Sequence, residues 1–303
     1  DATGSGKITV TDLGAAAFNA SNFDIGGALL VKTVSNGDAT ITLNGSTNIL
    51  GATAGSKTID ITDGGDTLVA TAAQLDALAV TDTATGNVTV TALGAADFDI
   101  SNFSIAGNLL AQTETGGGAN TITLGTGSDF TAGTVAGTRT VDITDNGDTL
   151  IATAANLHEV LVTDGSNTSN LTVTALGNAE FDGTGINIGG NLLMTTVDDG
   201  TDNQTFTLNA GTVLVGNTVT GTRTLNILDS DKVIGTAAQL TGLTVGDVAN
   251  TGSVEVTALG AAAFDASNYD LGGSLVLKTA TGAGNFALHS TTKIVEATIA
   301  GTT

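Results

Sequence analysis

The residues in this chain best suited to chemistry are carboxylates held three apart across a glycine-bearing turn. They occur as Asp63-Gly-Gly-Asp66-Thr-Leu68 and again as Asp145-Asn-Gly-Asp148-Thr-Leu150. A third, shortened version is Asp229-Ser-Asp231, in which both glycines are gone. Two carboxylates with loop carbonyls are a donor set for a hard divalent cation, and calcium takes six to eight such oxygens. Asp63, Asp66, Asp145, Asp148, Asp229 and Asp231 are therefore the candidate metal ligands, with calcium the candidate cofactor. The competing reading is an Asp-Gly turn in which the carboxylate only orders the corner.

No other residues gather into a reactive set. His158 falls where the other copies have Asp76 and Thr241, and His289 has no counterpart. Neither belongs to a Ser-His-Asp or metal-ligand spacing. The glycine-rich loops lack the Lys-Ser/Thr that a phosphate cradle requires. The triplets Asn87-Val-Thr89 and Asn170-Leu-Thr172 are what a threonine-rich chain produces by chance. General acid-base catalysis needs a singular constellation, whereas these acids recur in every copy. The sequence reads as a non-enzyme, and a carbohydrate-active β-helix enzyme is the weakest reading, since aromatics are 3% of the chain.

The elements that must carry the acids repeat with them. Asp63 and Asp145 open a period of about 82 residues, and a period that long decides the fold. Each copy begins with an alternating strand: Ile8-Thr-Val10, Val88-Thr-Val90, Leu171-Thr-Val173 or Val254-Glu-Val256. Alternation gives one buried face. A Leu-Gly step follows, then Phe18, Phe98, Phe181 or Phe264, whose rings turn inward. Gly pairs or single glycines before Leu29, Leu109 and Leu275 set a tight corner. Tyr269 replaces Phe23 and Phe103 and reads as a packing residue. Thr-rich strands at Ile41, Ile122 and Phe206 follow, with loops of unequal length. The acidic strand comes next, as Lys57-Thr-Ile59-Asp60-Ile61, Arg139-Thr-Val141-Asp142-Ile143 and Arg223-Thr-Leu225-Asn226-Ile227. Its leading base is expected to neutralise acids of the next coil. Thr71-x-x-Gln74 and Thr236-x-x-Gln239 have the spacing of a capping box and predict a short helix.

These signals predict an all-β fold: a β-solenoid, parallel β-helix-like, with one short helix per 82-residue repeat and coils of about 20 to 25 residues. The alternative is a string of tandem β-sandwich domains, which the missing core Trp and tyrosine corner disfavour. The repeats fall at residues 1–83, 84–165 and 166–248, with a partial fourth at 249–303, forming one continuous elongated array. The last residues align with 133–139, so the chain stops before a fourth acidic strand. Both ends lack an evident polar cap, which predicts either a longer natural polypeptide or copies stacked end to end. A chain that begins at Asp1 reads as a processed product or an excerpt.

Composition narrows the partners. Thirty acids face eight Lys and Arg, for a net charge of −22. Such a surface repels nucleic acid and anionic lipid. No apolar run reaches the roughly 18 residues of a membrane span, so membrane insertion is not expected. The absence of Cys removes disulfides and thiolate chemistry.

The combination of Thr-Ala-Ala-Gln-Leu helices, Asp-Gly-Gly-Asp turns and Val-Thr-Val-Thr-Ala-Leu-Gly strands resembles repetitive secreted bacterial surface proteins. These comprise S-layer proteins, extracellular filament proteins and type I-secreted calcium-dependent adhesins. Asp63, Gly65, Asp66 and Leu68 partly match the glycine-aspartate calcium motif of such adhesins. Here, however, the motif appears once per copy, whereas the family's runs in tandem nonapeptides. The resemblance implies secretion to the extracellular space or cell surface, self-assembly, calcium binding and contact with cell-surface polysaccharide. The expected function is a structural extracellular protein that self-assembles head to tail into a filament, sheath or S-layer. The alternative is a calcium-stiffened stalk or binding segment of a large adhesin.

Overall fold

The computed structural model describes residues 4–300 except 36, 83, 126, 166, 178–179, 199, 201–203, 217, 248–250, 261–262, 281–287 and 295–296. Residues 301–303, part of the tail that aligns with 133–139, lie outside the described residues. The chain divides into two compact units, one of residues 1–116 and 122–144, the other of 117–121 and 145–303.

In the first unit one sheet runs in the order β1 (Ile8–Leu13), β2 (Ala28–Thr33), β4 (Ser56–Ile61), β6 (Ala79–Asp82), β8 (Phe103–Ile105) and β11 (Thr134–Val135). A second runs β3 (Thr40–Thr42), β5 (Thr67–Thr71), β7 (Asn87–Leu93), β9 (Leu109–Thr113) and β12 (Arg139–Ile143). A further short strand, β10, spans Thr121–Thr123. The second unit holds a sheet in the order β13 (Thr149–Thr153), β15 (Asn170–Leu176), β17 (Leu192–Thr196), β20 (Arg223–Ile227), β22 (Thr244–Asp247), β24 (Tyr269–Leu271) and β26 (Thr298–Ile299). Beside it are the runs β14 (Leu161–Asp164), β16 (Ile186–Ile188), β19 (Thr218–Val219) and β18 (Thr205–Thr207), β21 (Lys232–Thr236), β23 (Ser253–Leu259), β25 (Leu275–Thr279).

The expected fold class is the observed one. Among the described residues the strands pair in parallel, which a sandwich of antiparallel hairpins would not do. The chain leaves one sheet, adds a strand to another, and returns to pair one coil later. Thr67 faces Asn87, and Leu192 faces Arg223, so coils run from about 20 to about 31 residues. The longer ones exceed the expected length because the threonine-rich loop is added to them. One order of succession recurs: the strand before the helix, the opening Val-Thr-Val strand, the leucine strand, the acidic strand, the strand after the helix. It reads β5-β7-β9-β12 in one unit and β13-β15-β17-β20-β22 in the other.

Alternation builds the core. The pattern buried at every second residue holds along β7, β9, β15 and β17. Phe98 packs edge-on to Phe103 at 6.0 Å and Phe264 to Tyr269 at 6.0 Å. The Tyr269 hydroxyl donates to the Leu240 carbonyl at 2.9 Å, and burial raises its pKa, as befits a packing residue. The glycine before each leucine strand is required by close approach. A Cβ on Gly107 would lie 2.5 Å from the Gly86 carbonyl of the preceding coil, and one on Gly190 2.4 Å from that of Ser169.

The structure differs from expectation at the second helix. α1 (Ala72–Leu75) and α2 (Ala237–Leu240) form with complete capping boxes, but residues 154–159 form turns. Thr153 and Asn156 still exchange the reciprocal bonds. In the helical copies Gln74 Nε2 reaches back to the carbonyl of Asn44, and Gln239 Nε2 to those of Asn209 and Thr212.

Candidate functional site

Each recurrent acidic pair sits at the turn before the pre-helix strand and grips the coil before it. Asp63 accepts from Ser35 Oγ at 2.9 and 3.0 Å and from the Gly37 amide at 3.1 Å. Asp66 Oδ1 accepts the Ala39 amide at 2.8 Å. Asp145 Oδ2 accepts the Gly117 amide at 3.1 Å, and Asp148 Oδ1 the Asn120 amide at 2.8 Å. In the third copy Asp231 Oδ1 takes the Gln204 amide at 2.9 Å. A carboxylate that accepts backbone N–H groups across a coil boundary satisfies donors that a loop would otherwise leave bare.

The turn itself needs a left-handed residue. Gly65 and Gly147 supply it at φ 88° and 79°. The shortened third turn obtains it from Asp229 and Ser230, at φ 52° and 62°, which accounts for a turn surviving without its glycines.

Asp66 and Asp148 are fully buried, at 0% exposure, and the Oδ2 of each has no hydrogen-bond partner. A buried carboxylate oxygen in that position calls for a hydrogen-bond donor or a cation. Against a preformed calcium cage, no group of three or more His, Cys, Asp or Glu side chains converges among the described residues. Two carboxylates per turn, each already bonded to an amide, supply only part of the six to eight oxygens calcium requires.

A second family of clamps went unrecognised in the sequence. Asp82, Asp164 and Asp247 end the post-helix strand in successive copies. Asp82 Oδ2 takes the Ala106 amide at 2.7 Å. Asp164 Oδ2 takes those of Ser169 and Gly189 at 2.7 and 3.2 Å, and Asp247 Oδ2 takes Gly272 at 3.2 Å. Recurrence at one position was the available signal.

The ion pairs among the described residues fall on other bases than Lys57 and Arg139. Arg139 Nε is buried without an acceptor. Ion pairs are made instead by Lys32 with Asp60 at 2.9 Å and by Lys232 with Glu255 at 2.6 Å, while Lys278 meets Glu255 from the other side. The lysine bonds hold the Glu255 carboxyl below its ordinary range. His158 lies 4.0 Å from Glu159, and His289 bonds to Thr291; the two belong to different turns. A groove of about 320 Å³ beside α2, lined by Thr212, Val213, Leu214, Thr236 and Gln239 among others, has no titratable side chain among the described residues of its wall.

Compared with protein-family models, curated proteins and solved structures, the chain has no match.

Burial changes at two strands. Ile8 and Val10 of β1 are only half-buried, although their counterparts Val88, Val90, Leu171 and Val173 are covered. At β25, Leu277 is half-buried and Thr279 exposed, where Ala111, Met194, Thr113 and Thr196 are buried. Val276 is 37% exposed. Among the described strands, β1 and β25 each stand at the end of a sheet.

Proposed function

We propose that this is a structural extracellular protein whose polypeptides join head to tail, building a filament, sheath or S-layer. The observation that carries the reading is the parallel ladder itself, in which the strand succession β5-β7-β9-β12 of one unit recurs as β13-β15-β17-β20 in the other. An unpaired edge with an apolar inner row is a template for another strand, and a heterologous contact of that kind propagates rather than closes. The recurrent acids support the reading, since the carboxylates described here hold the coils to one another. Cell-surface polysaccharide is the further partner expected of such a coat. Electron microscopy of the purified chain is expected to show filaments or lattices. Monodisperse monomers across the concentration range, by light scattering, would end the proposal.

The second reading, a calcium-stiffened adhesin stalk, is favoured by the unpartnered Oδ2 atoms of Asp66 and Asp148. It expects calcium to raise the melting temperature, chelator to reverse the gain, and Asp66→Asn with Asp148→Asn to abolish it. Identical melting with calcium and with chelator would remove the metal from the account.

A further inference from the structure

We infer that the cleft at the end of β7, in the first unit, holds one sugar residue of a neutral polysaccharide chain. The inference rests on the polysaccharide partner proposed above and gives it a place and a chemical class.

The cleft arises where β7 and β9 lose register. Val88, Thr89 and Val90 face Leu109, Leu110 and Ala111 in turn, and after the slip Leu93 faces Thr113. Ala92, within the slip, is exposed and left-handed at φ 53°. Bulges of this kind re-aim side chains and gather beside functional sites. A hollow of about 240 Å³ opens there, lined by Thr91, Ala92, Gln112, Thr113, Thr115 and Thr144. β7 is paired on both sides, with β5 and β9, and β9 with β7 and β12. The hollow therefore owes nothing to the end of a sheet.

The backbone alone does not ask for alanine. A glycine takes a left-handed φ without strain, whereas an L-residue there stores it. Ala92, Ala175 and Ala258 nevertheless keep a methyl at that position, at φ 53°, 56° and 54°. Strain retained on an exposed residue points to a site. In the first unit the Ala92 methyl forms part of the cleft wall, an apolar spot among hydroxyls.

The wall sets the ligand class. It carries four threonine hydroxyls and one primary amide, and no charge among its described residues. Hydroxyls and amides both donate and accept. Gln112 holds Asp142 only at a long 3.4 Å, and Thr115 is exposed. Glu114, between two wall residues, lays its carboxylate beside Gly94, on a chain of net charge −22. Such a rim repels an anionic ligand, and an apolar one would strand the hydroxyls. A neutral sugar satisfies both faces. Its hydroxyls exchange bonds with threonine and glutamine, and its C–H face covers the Ala92 methyl.

The test titrates the full chain with neutral hexasaccharides of glucose, mannose and galactose. Hexagalacturonate is the acidic arm and the glucosamine hexamer the cationic one. Methyl NMR spectra follow Thr91, Ala92, Thr113 and Thr115. At least one neutral hexasaccharide should shift these methyls saturably, and both charged probes should bind about tenfold more weakly. Thr115→Val keeps the shape and loses the hydroxyl, while Ala92→Gly removes the methyl and keeps the backbone. Each should weaken binding about fivefold, the scale of one hydrogen bond or one buried methyl, at unchanged melting temperature. Thr115→Ser should retain it. Shifts that follow ligand charge, shifts away from the cleft, or binding indifferent to both variants overturn the inference. A chain that assembles in light scattering yet ignores every neutral hexasaccharide loses the cleft and keeps the assembly reading. Saccharide bound at the cleft of a chain that stays monomeric does the reverse.

Discussion

Ala92 lies exposed near the end of β7 with φ at 53°, and the same residue of the other opening strands, Asp12, Ala175 and Ala258, sits at 60°, 56° and 54°. Each marks the place where the register with the leucine strand slips. A left-handed residue costs an L-amino acid about 1–2 kcal/mol, and more when the side chain is β-branched. Ala92→Val should therefore lower stability by about 1–3 kcal/mol in denaturant melts although it removes no buried contact, while Ala92→Gly should not. Glu255 gives the second residue-scale expectation. Its pKa is lowered in the folded chain by Lys232 and Lys278, so its contribution is complete above the ordinary glutamate value of 4.5 and is lost as pH falls through the lowered one. Melting temperatures of Glu255→Gln should fall below those of the native chain at neutral pH. The gap should close as pH falls below the ordinary glutamate value and through the lowered one.

At the scale of the element, the helix is too short to stand by its own hydrogen bonds. Four residues are well under the length at which a helix is stable alone, so α1 and α2 exist because their ends are tied down. Gln239 does most of that in α2. Its Oε1 accepts the Thr236 amide at 2.9 Å, and its Nε2 donates to the carbonyls of Asn209 and Thr212 at 2.8 and 2.9 Å. With the Thr236 hydroxyl also donating to Oε1 at 3.1 Å, Gln239→Ala removes four bonds from a buried side chain, which at about 1 kcal/mol each predicts a loss of about 2–4 kcal/mol. Thr236→Ala, which removes the hydroxyl cap, should cost about 1 kcal/mol. Equal, negligible losses for both would show that the helix is held by packing of Leu240 alone.

For the molecule as a whole, the excess of acid sets the conditions under which anything can associate. A net charge of −22 opposes both compaction and the approach of a second copy. Salt shortens the screening distance from about 30 Å at 0.01 M to about 8 Å at 0.15 M. Both melting temperature and particle size in light scattering should therefore rise over that range. Particles that dissociate as salt is added would mean that ion pairs, rather than strand edges with an apolar row, hold them together.

The sequence by itself determined the strands, the period and the parallel β-helix character, because alternation and an 82-residue recurrence are local properties readable from residue types. It also placed Phe98, Phe264 and Tyr269 inside for the same reason: aromatic rings in a chain of small residues have nowhere else to go. What only the tertiary structure decided was which coil each acid serves. Asp66 is bonded to Ala39, 27 residues away, and Asp82 to Ala106, 24 residues away. No spacing rule within one strand reports a partner one coil distant. The same holds for Lys278 and Glu255, which become neighbours only when β23 and β25 pair. It holds too for the threonine-rich loops, whose unequal lengths stretch some coils to about 31 residues without changing the strand succession, because a loop outside the ladder can lengthen at small entropic cost.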